Sequence, residues 1–99
     1  MKKLLLFILF FSFLNASNLQ KTSVQLMWFD QFEFAGFYIA KEKGFYEDAG
    51  LDVELKKFDS SMDLTKKVLD KEADFGLNSS SLLIDKAKGK DIVLLGTIF

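Results

Sequence analysis

The sequence predicts an α/β protein with a mainly parallel β-sheet and the element order β-α-β-α-β-α-β. Runs with strand patterns begin near residues 24, 51, 73 and 92, and helix patterns separate them. The last run is continuously apolar. Strands that alternate with helices form parallel sheets with helices on both faces, and a strand buried on both faces shows no polar alternation.

Residues 1–16 predict a secretory signal peptide that precedes the fold. A positive start at Met1-Lys2-Lys3 leads into an apolar run at residues 4–14, and Ala16 offers a small residue for cleavage. The run is shorter than the roughly 20 residues of a membrane span. A membrane anchor and a buried core helix are the alternatives. The chain has no cysteine, which excludes a lipid-anchored N-terminus and disulfides.

The first βα unit follows a polar lead-in at residues 17–23. Residues 24–28 alternate and end apolar, which is typical of a strand that becomes buried. Residues 32–43 carry aromatic side chains at helical spacing, and Gly44 is well placed to end that helix. One further helical turn is expected after it, closed by Gly50.

The second unit opens with the strict alternation of residues 51–56, which predicts a half-exposed strand. Ser60 or Ser61 is expected to cap a helix over residues 62–71, because a hydroxyl can accept from unpaired N–H groups at a helix start. Asp63 in the first turn of that helix suits the helix dipole.

The third unit is shorter. Residues 73–78 predict a strand, and Ser79 is expected to cap a helix that ends at Gly89. Residues 92–98 have the pattern of a strand buried on both faces. Because the chain stops at Phe99, directly after this run, we expect it to be a fragment of a longer protein.

Polar and aromatic side chains follow the first and third predicted strands. In open α/β sheets a ligand binds outside the carboxyl ends of the strands, where the strand order reverses. An order that begins 2-1-3 would make the ends of the first and third strands neighbours. The residues that this arrangement predicts to bind a ligand are Trp28, Asp30, Glu33, Phe34, Asn78, Ser79 and Ser80.

The four residues after the first strand suit a flat, hydrogen-bonding ligand. Trp28 and Phe34 offer flat faces, and Asp30 and Glu33 can accept from ligand N–H groups. Each has a structural alternative. The two aromatic side chains fit a protein core, Asp30 fits a turn, and Glu33 fits the start of a helix dipole.

The three residues after the third strand suit polar groups of a ligand. Asn78 can donate and accept at once. Ser79 and Ser80 place hydroxyls and free N–H groups at a helix start, which favours a polar or anionic group. The structural alternative is that Ser79 is only an N-cap.

The residue inventory excludes several functions. The chain has no His and no Cys, so the common nucleophile–base pairs are absent. It has no phosphate-binding glycine loop. Its formal net charge of −1 does not suit nucleic acid. We therefore expect a protein that is not an enzyme, with no cofactor, metal ion or nucleic-acid partner.

Several stretches resemble one family. Residues 26–28, FAGFYIAKEKGFY at residues 34–46 and AGLDV at residues 49–53 are similar to the opening of the thiamine-pyrimidine-precursor-binding family, and residues 73–77 and 86–89 continue the match. These are type II periplasmic binding proteins, the solute receptors of ABC importers.

The resemblance implies a two-lobed fold that clamps a small pyrimidine-like ligand, an ABC permease as partner and a periplasmic location. Residues 24–99 would form the N-terminal part of such a domain, without its second lobe. A related fungal synthase has a cofactor lysine and a histidine that would fall at Asn78 and Leu82, so synthase activity is not expected.

The segment QFEFAGFYIAKEKGFY at residues 31–46 also resembles extracytoplasmic sensor domains of membrane-bound histidine kinases and diguanylate cyclases. In such a protein a membrane segment would lie beyond Phe99. A truncated, non-functional remnant is the remaining alternative.

Overall fold

The computed structural model describes residues 18–98, so the predicted signal peptide lies outside the described residues. Three strands form one sheet in the order β2-β1-β3, and both strand pairs are parallel. The elements in chain order are β1 (Gln20–Gln25), a 3₁₀ helix (Phe32–Phe34), α1 (Ala35–Glu42), α2 (Phe45–Asp48), β2 (Leu51–Lys56), α3 (Leu64–Leu69), β3 (Phe75–Gly76) and α4 (Leu82–Ala87). The predicted α/β class and 2-1-3 strand order are confirmed.

The central strand begins earlier than predicted. β1 starts at Gln20, inside the polar stretch that was expected to precede the strand at Val24, and it ends at Gln25. It pairs with β2 along its whole length, from Gln20 opposite Leu51 to Gln25 opposite Lys56. The partner strand fixes the extent of β1, because backbone pairing does not require apolar side chains at the start of a strand.

The pairing of β1 with β3 is short because a side chain ends it. Only Val24 and Gln25 pair with β3. One residue earlier, the backbone N–H of Ser23 donates to Asp74 Oδ2 at 2.8 Å, and the N–H of Asp74 donates to Ser23 Oγ at 3.1 Å. These bonds satisfy backbone groups that a longer ladder would have used.

The first helical region agrees with the prediction. The 3₁₀ helix and α1 together cover Phe32 to Glu42, and α2 supplies the expected further turn. Gly44 separates the two helices with φ of 75°, a left-handed conformation that favours glycine. The glycine was therefore correctly identified as the end of the helix.

The caps of the other two helices differ from the prediction. Asp63, and neither Ser60 nor Ser61, caps α3, because its carboxylate accepts from Lys66 N at 3.0 Å. Ser61 instead donates to Asp59 in the preceding turn. α4 begins only after Ser81, whose side chain forms no cap hydrogen bond. The backbone conformation decides which of several capable side chains stands at the cap.

The predicted fourth strand is not formed, and this prediction was wrong. Within the described residues, positions 92–98 have no strand pairing. Ile92 is buried, whereas Val93 is 79% and Leu95 is 76% exposed. A central strand needs a long neighbour and two covering layers, and β3 offers an edge of only two residues.

The core lies where α1, α3 and the sheet meet, and it is small. Its buried apolar residues are Leu26, Phe34, Val53, Ala73 and Ile92. Leu26 and Phe34 are completely buried, so the chain on both sides of the loop after β1 is anchored. No helix within residues 18–98 is long and apolar enough to cross a membrane.

Candidate functional site

The three strands end at one edge of the sheet, because all of them are parallel. Hydrogen bonds continue just beyond the ladders. Leu26 N donates to Lys56 O at 3.0 Å, and Leu77 N donates to Gln25 O at 2.9 Å. The segments that leave the three strands therefore start side by side, in the location where α/β sheets bind ligands.

A buried glutamine ties two of these segments together. Gln25 is only 2% exposed. Its side-chain amide Nε2 donates to the carbonyl oxygens of Leu26 at 3.0 Å, Lys56 at 3.3 Å and Lys57 at 3.0 Å. Gln25 was not among the predicted site residues, and the signal for it was a lone polar side chain at the end of a central strand.

Three aromatic side chains form a cluster on these two segments, which we call the aromatic trio: Trp28, Phe29 and Phe58. Trp28 stacks on Phe58 with ring centroids 5.3 Å apart and planes inclined by 26°. Phe29 meets both rings edge-on, at 5.7 Å from Trp28 and 5.2 Å from Phe58. Trp28 is 50% exposed, so half of its surface remains available to a ligand.

An acidic residue lies beside the trio in a group that we call the Asp30 group: Asp30, Tyr38 and Lys57. Asp30 Oδ1 accepts from the Tyr38 hydroxyl, and Oδ2 pairs with Lys57 Nζ. The hydrogen bond from Lys57, followed by that from Tyr38, lowers the pKa of Asp30 below its ordinary value. The same contacts raise the pKa values of Tyr38 and Lys57. Asp30 is therefore a carboxylate at neutral pH.

The next two predicted site residues have different environments. Glu33 is exposed in the 3₁₀ helix and accepts from Gln31 Nε2 at 2.6 Å. Phe34 is completely buried. It therefore lies in the core beneath the loop rather than at the surface of the site, as its structural alternative holds.

The predicted residues after β3 are held by internal hydrogen bonds. Asn78 Nδ2 donates to Thr65 Oγ1 at 3.2 Å, and Asn78 Oδ1 accepts from Ser79 N at 2.8 Å. Ser79 Oγ lies 2.9 Å from Ser81 Oγ. Ser80 is exposed. Both ends of the Asn78 amide are thus engaged, and this residue orients the loop at residues 79–81, which we call the serine loop.

Asn78 belongs to a larger set of hydrogen bonds, the Thr65 network: Thr65, Asn78, Asp85 and Lys90. The hydroxyl of Thr65, which is 4% exposed, donates to Asp85 Oδ2 at 2.7 Å. Lys90 Nζ pairs with Asp85 Oδ1 at 2.8 Å. The hydrogen bonds from Lys90 and then Thr65 lower the pKa of Asp85. The network joins the end of β3 to α3 and α4.

The carboxyl edge of the sheet therefore has two parts, one at the ends of β1 and β2 and the other at the end of β3. Trp28 and Asp30 contact the segment after β2, whereas the side-chain bonds of Asn78 run to α3 and to its own loop. The sequence pattern predicted site residues at the ends of β1 and β3, but it did not predict Lys57 or Phe58. The signal for both was their position directly after β2, which ends at the same edge.

A second candidate surface is lined mainly by polar and charged side chains. An open depression of about 440 Å³ lies beside α3, lined by Asp59, Ser61, Met62, Asp63, Lys66, Lys67, Asp70 and Glu72. Its lysines are paired, Lys66 with Asp70 and Lys67 with Glu72. Among residues 18–98 no cluster of acidic side chains has a geometry that could hold a metal ion.

Comparison with known proteins identifies a family. The family model described as NMT1/THI5 like matches residues 31–99, which is more than half of the chain and includes Tyr38, Phe58 and the serine loop. No curated protein and no solved structure matches the chain. The family match confirms the resemblance to thiamine-pyrimidine-precursor-binding proteins. The chain belongs to the NMT1/THI5-like family, whose members are in general binding proteins for small molecules rather than enzymes.

Proposed function

We propose that this protein is an exported solute-binding protein that takes up a small heteroaromatic molecule, such as a thiamine pyrimidine precursor, at the carboxyl edge of its sheet. The observation that carries the proposal is the half-exposed Trp28, stacked on Phe58 where β1 and β2 end. A flat aromatic surface at the strand ends of a parallel sheet suits a flat ligand. Membership in a family of binding proteins supports it.

Each part of the edge has a role in this proposal. Trp28 stacks on the ligand ring, and Asp30 accepts from a ligand N–H group. Glu33 contributes a second carboxylate at the rim. Asn78 orients its loop so that Ser79 and Ser80 meet the polar groups of the ligand. Phe34 supports the loop from the core.

The cellular role follows from the family and from the N-terminal sequence. The signal peptide at residues 1–16 would direct the protein to the periplasm. There it would hand its ligand to an ABC permease. A second lobe would complete capture by closing over the edge, since hinge closure around a ligand is a common mechanism of binding proteins.

The test is a calorimetric titration of the full chain with a 4-aminopyrimidine, in the wild type and in Trp28→Ala and Trp28→Phe. We expect Trp28→Ala to weaken binding by about five- to 150-fold, because stacking on one aromatic ring contributes about 1–3 kcal/mol per base. Trp28→Phe keeps a flat ring and should lose less. Circular dichroism should show that both variants remain folded. If Trp28→Ala unfolds the chain as much as it weakens binding, Trp28 is a packing residue and the proposal fails.

A further inference from the structure

The Asp30–Lys57 ion pair lies beside the aromatic trio on two chain segments. Asp30 directly follows Phe29, and Lys57 directly precedes Phe58. The pair therefore joins the two segments that present the aromatic rings. Lys57 and Tyr38 both contact the carboxylate of Asp30, but neither has a role in the proposed function.

The two partners of Asp30 are held very differently. Tyr38 is a half-buried residue of α1, so the helix fixes the backbone from which its hydroxyl reaches Asp30. The side chain of Lys57 is 73% exposed and that of Asp30 is 51% exposed. Exposed lysine pairs add little stability, since water competes for both charges and the long side chain loses rotamer freedom. Lys57 can therefore leave Asp30 at small cost while Tyr38 keeps the carboxylate oriented.

We propose that Lys57 is a displaceable counter-ion of Asp30, and that the ligand of this edge is a flat ring with a positively charged amidinium-type group that replaces Lys57. This inference rests on the proposed function and adds the charge of the ligand and the group with which it competes. The ring would stack on the trio, and its positive charge is further favoured by aromatic faces.

The same contacts disfavour an anionic ligand. An anionic ligand would have to pair with Lys57, and Asp30 would first have to separate from that lysine. Asp30 accepts from Tyr38 and has a much shorter side chain than lysine, so it can move away less far than Lys57 can. An anion would then lie beside an unneutralised carboxylate, which is unfavourable.

Benzamidine and benzamide test the charge requirement, because both are flat and of similar shape and only benzamidine is cationic. Trp28 is the only tryptophan of the chain, so its fluorescence reports binding at the trio. The full chain is titrated with each probe as wild type, Lys57→Met, Lys57→Gln and Asp30→Asn. Lys43→Met is the matched control, since Lys43 is an exposed lysine at the end of α1.

We expect both Lys57 variants to bind benzamidine about two- to fivefold more tightly than the wild type, as the small free energy of an exposed ion pair implies. Their affinity for benzamide should not change, and Lys43→Met should match the wild type. Asp30→Asn should bind the two probes equally. Lys57 is exposed, so urea unfolding midpoints of its two variants should equal that of the wild type.

The possible outcomes distinguish a failure of this inference from a failure of the proposed function on which it rests. If the probes bind at Trp28 but neither Lys57 variant gains affinity for benzamidine, Lys57 is not a displaceable counter-ion and the proposed function stands. If benzamide binds as tightly as benzamidine to the wild type and to both Lys57 variants, the cationic ligand class is wrong. If neither probe alters Trp28 fluorescence in any variant but a 4-aminopyrimidine does, this inference is overturned and the proposed function stands. If the 4-aminopyrimidine also leaves the fluorescence unchanged, both proposals are overturned.

Discussion

Replacement of the buried Gln25 by leucine should separate the segments that carry the aromatic trio. The leucine fills a similar volume and donates no hydrogen bond. The carbonyl of Lys56 keeps a partner in Leu26 N at 3.0 Å. The carbonyls of Leu26 and Lys57 lose the amide that now lies 3.0 Å from each. The Leu26 carbonyl is buried, and a buried acceptor without a donor costs about 1–3 kcal/mol, whereas the carbonyl of the exposed Lys57 can bind water instead. We therefore expect the free energy of unfolding to fall by about 1–3 kcal/mol.

Urea unfolding of the full chain, followed by circular dichroism and by Trp28 fluorescence, measures this change. The native fluorescence of Gln25→Leu should also shift to longer wavelength, because Trp28 loses part of its support on Phe58. Gln25→Glu is the isosteric control, and at neutral pH its carboxylate should repel the same carbonyls and destabilise the fold further. If Gln25→Leu unfolds within about 0.5 kcal/mol of the wild type, which is typical of a neutral surface change, the proposed support is absent.

Two further predictions concern the Thr65 network. Thr65→Val removes the hydroxyl that joins Asn78 to Asp85, and we expect thermal melts to show a midpoint several degrees lower, with Thr65→Ser closer to the wild type. Lys90 and then Thr65 lower the pKa of Asp85 in the folded state. The contribution of Asp85 to stability is therefore complete above the ordinary carboxyl pKa of about 3.9, and it is lost as the pH falls through the lowered value. Below about pH 4 the melting temperature of the wild type should therefore fall more steeply with falling pH than that of Asp85→Asn, and equal slopes would show that the network does not hold Asp85.

Local sequence patterns predicted the fold best where the residues of one element alone are enough to mark its start and end. Residues Leu51–Lys56 form β2 as predicted, since strict alternation marks a strand with one buried face. The apolar run at residues 92–98 indicated burial, but burial depends on neighbours, and the short β3 does not provide one. The N-cap positions at Asp63 and Ser81 were not predicted, because several neighbouring polar side chains could each cap a helix. The backbone geometry decides which of them does so.

The same contrast between local pattern and tertiary contacts applies to the candidate site. Strand order and the rule for parallel sheets were sufficient to predict that Trp28 and Asp30 lie at the carboxyl edge. Their contacts with Phe58 and Lys57 depend on how two loops turn after their strands, which no periodicity encodes. The buried state of Phe34 also depended on tertiary packing, because an aromatic residue after a strand fits a core and a ligand surface equally well.

The most direct test of ligand binding at this edge is a two-dimensional ¹H–¹⁵N NMR titration of the full chain with a 4-aminopyrimidine. We predict saturable shifts of the backbone amides at residues 28–30, 57–58 and 79–80, with the indole N–H of Trp28 among the largest. Shifts confined to the opposite edge, around Gly50 and the starts of the strands, would contradict this site. No shift at millimolar ligand would contradict the binding function itself.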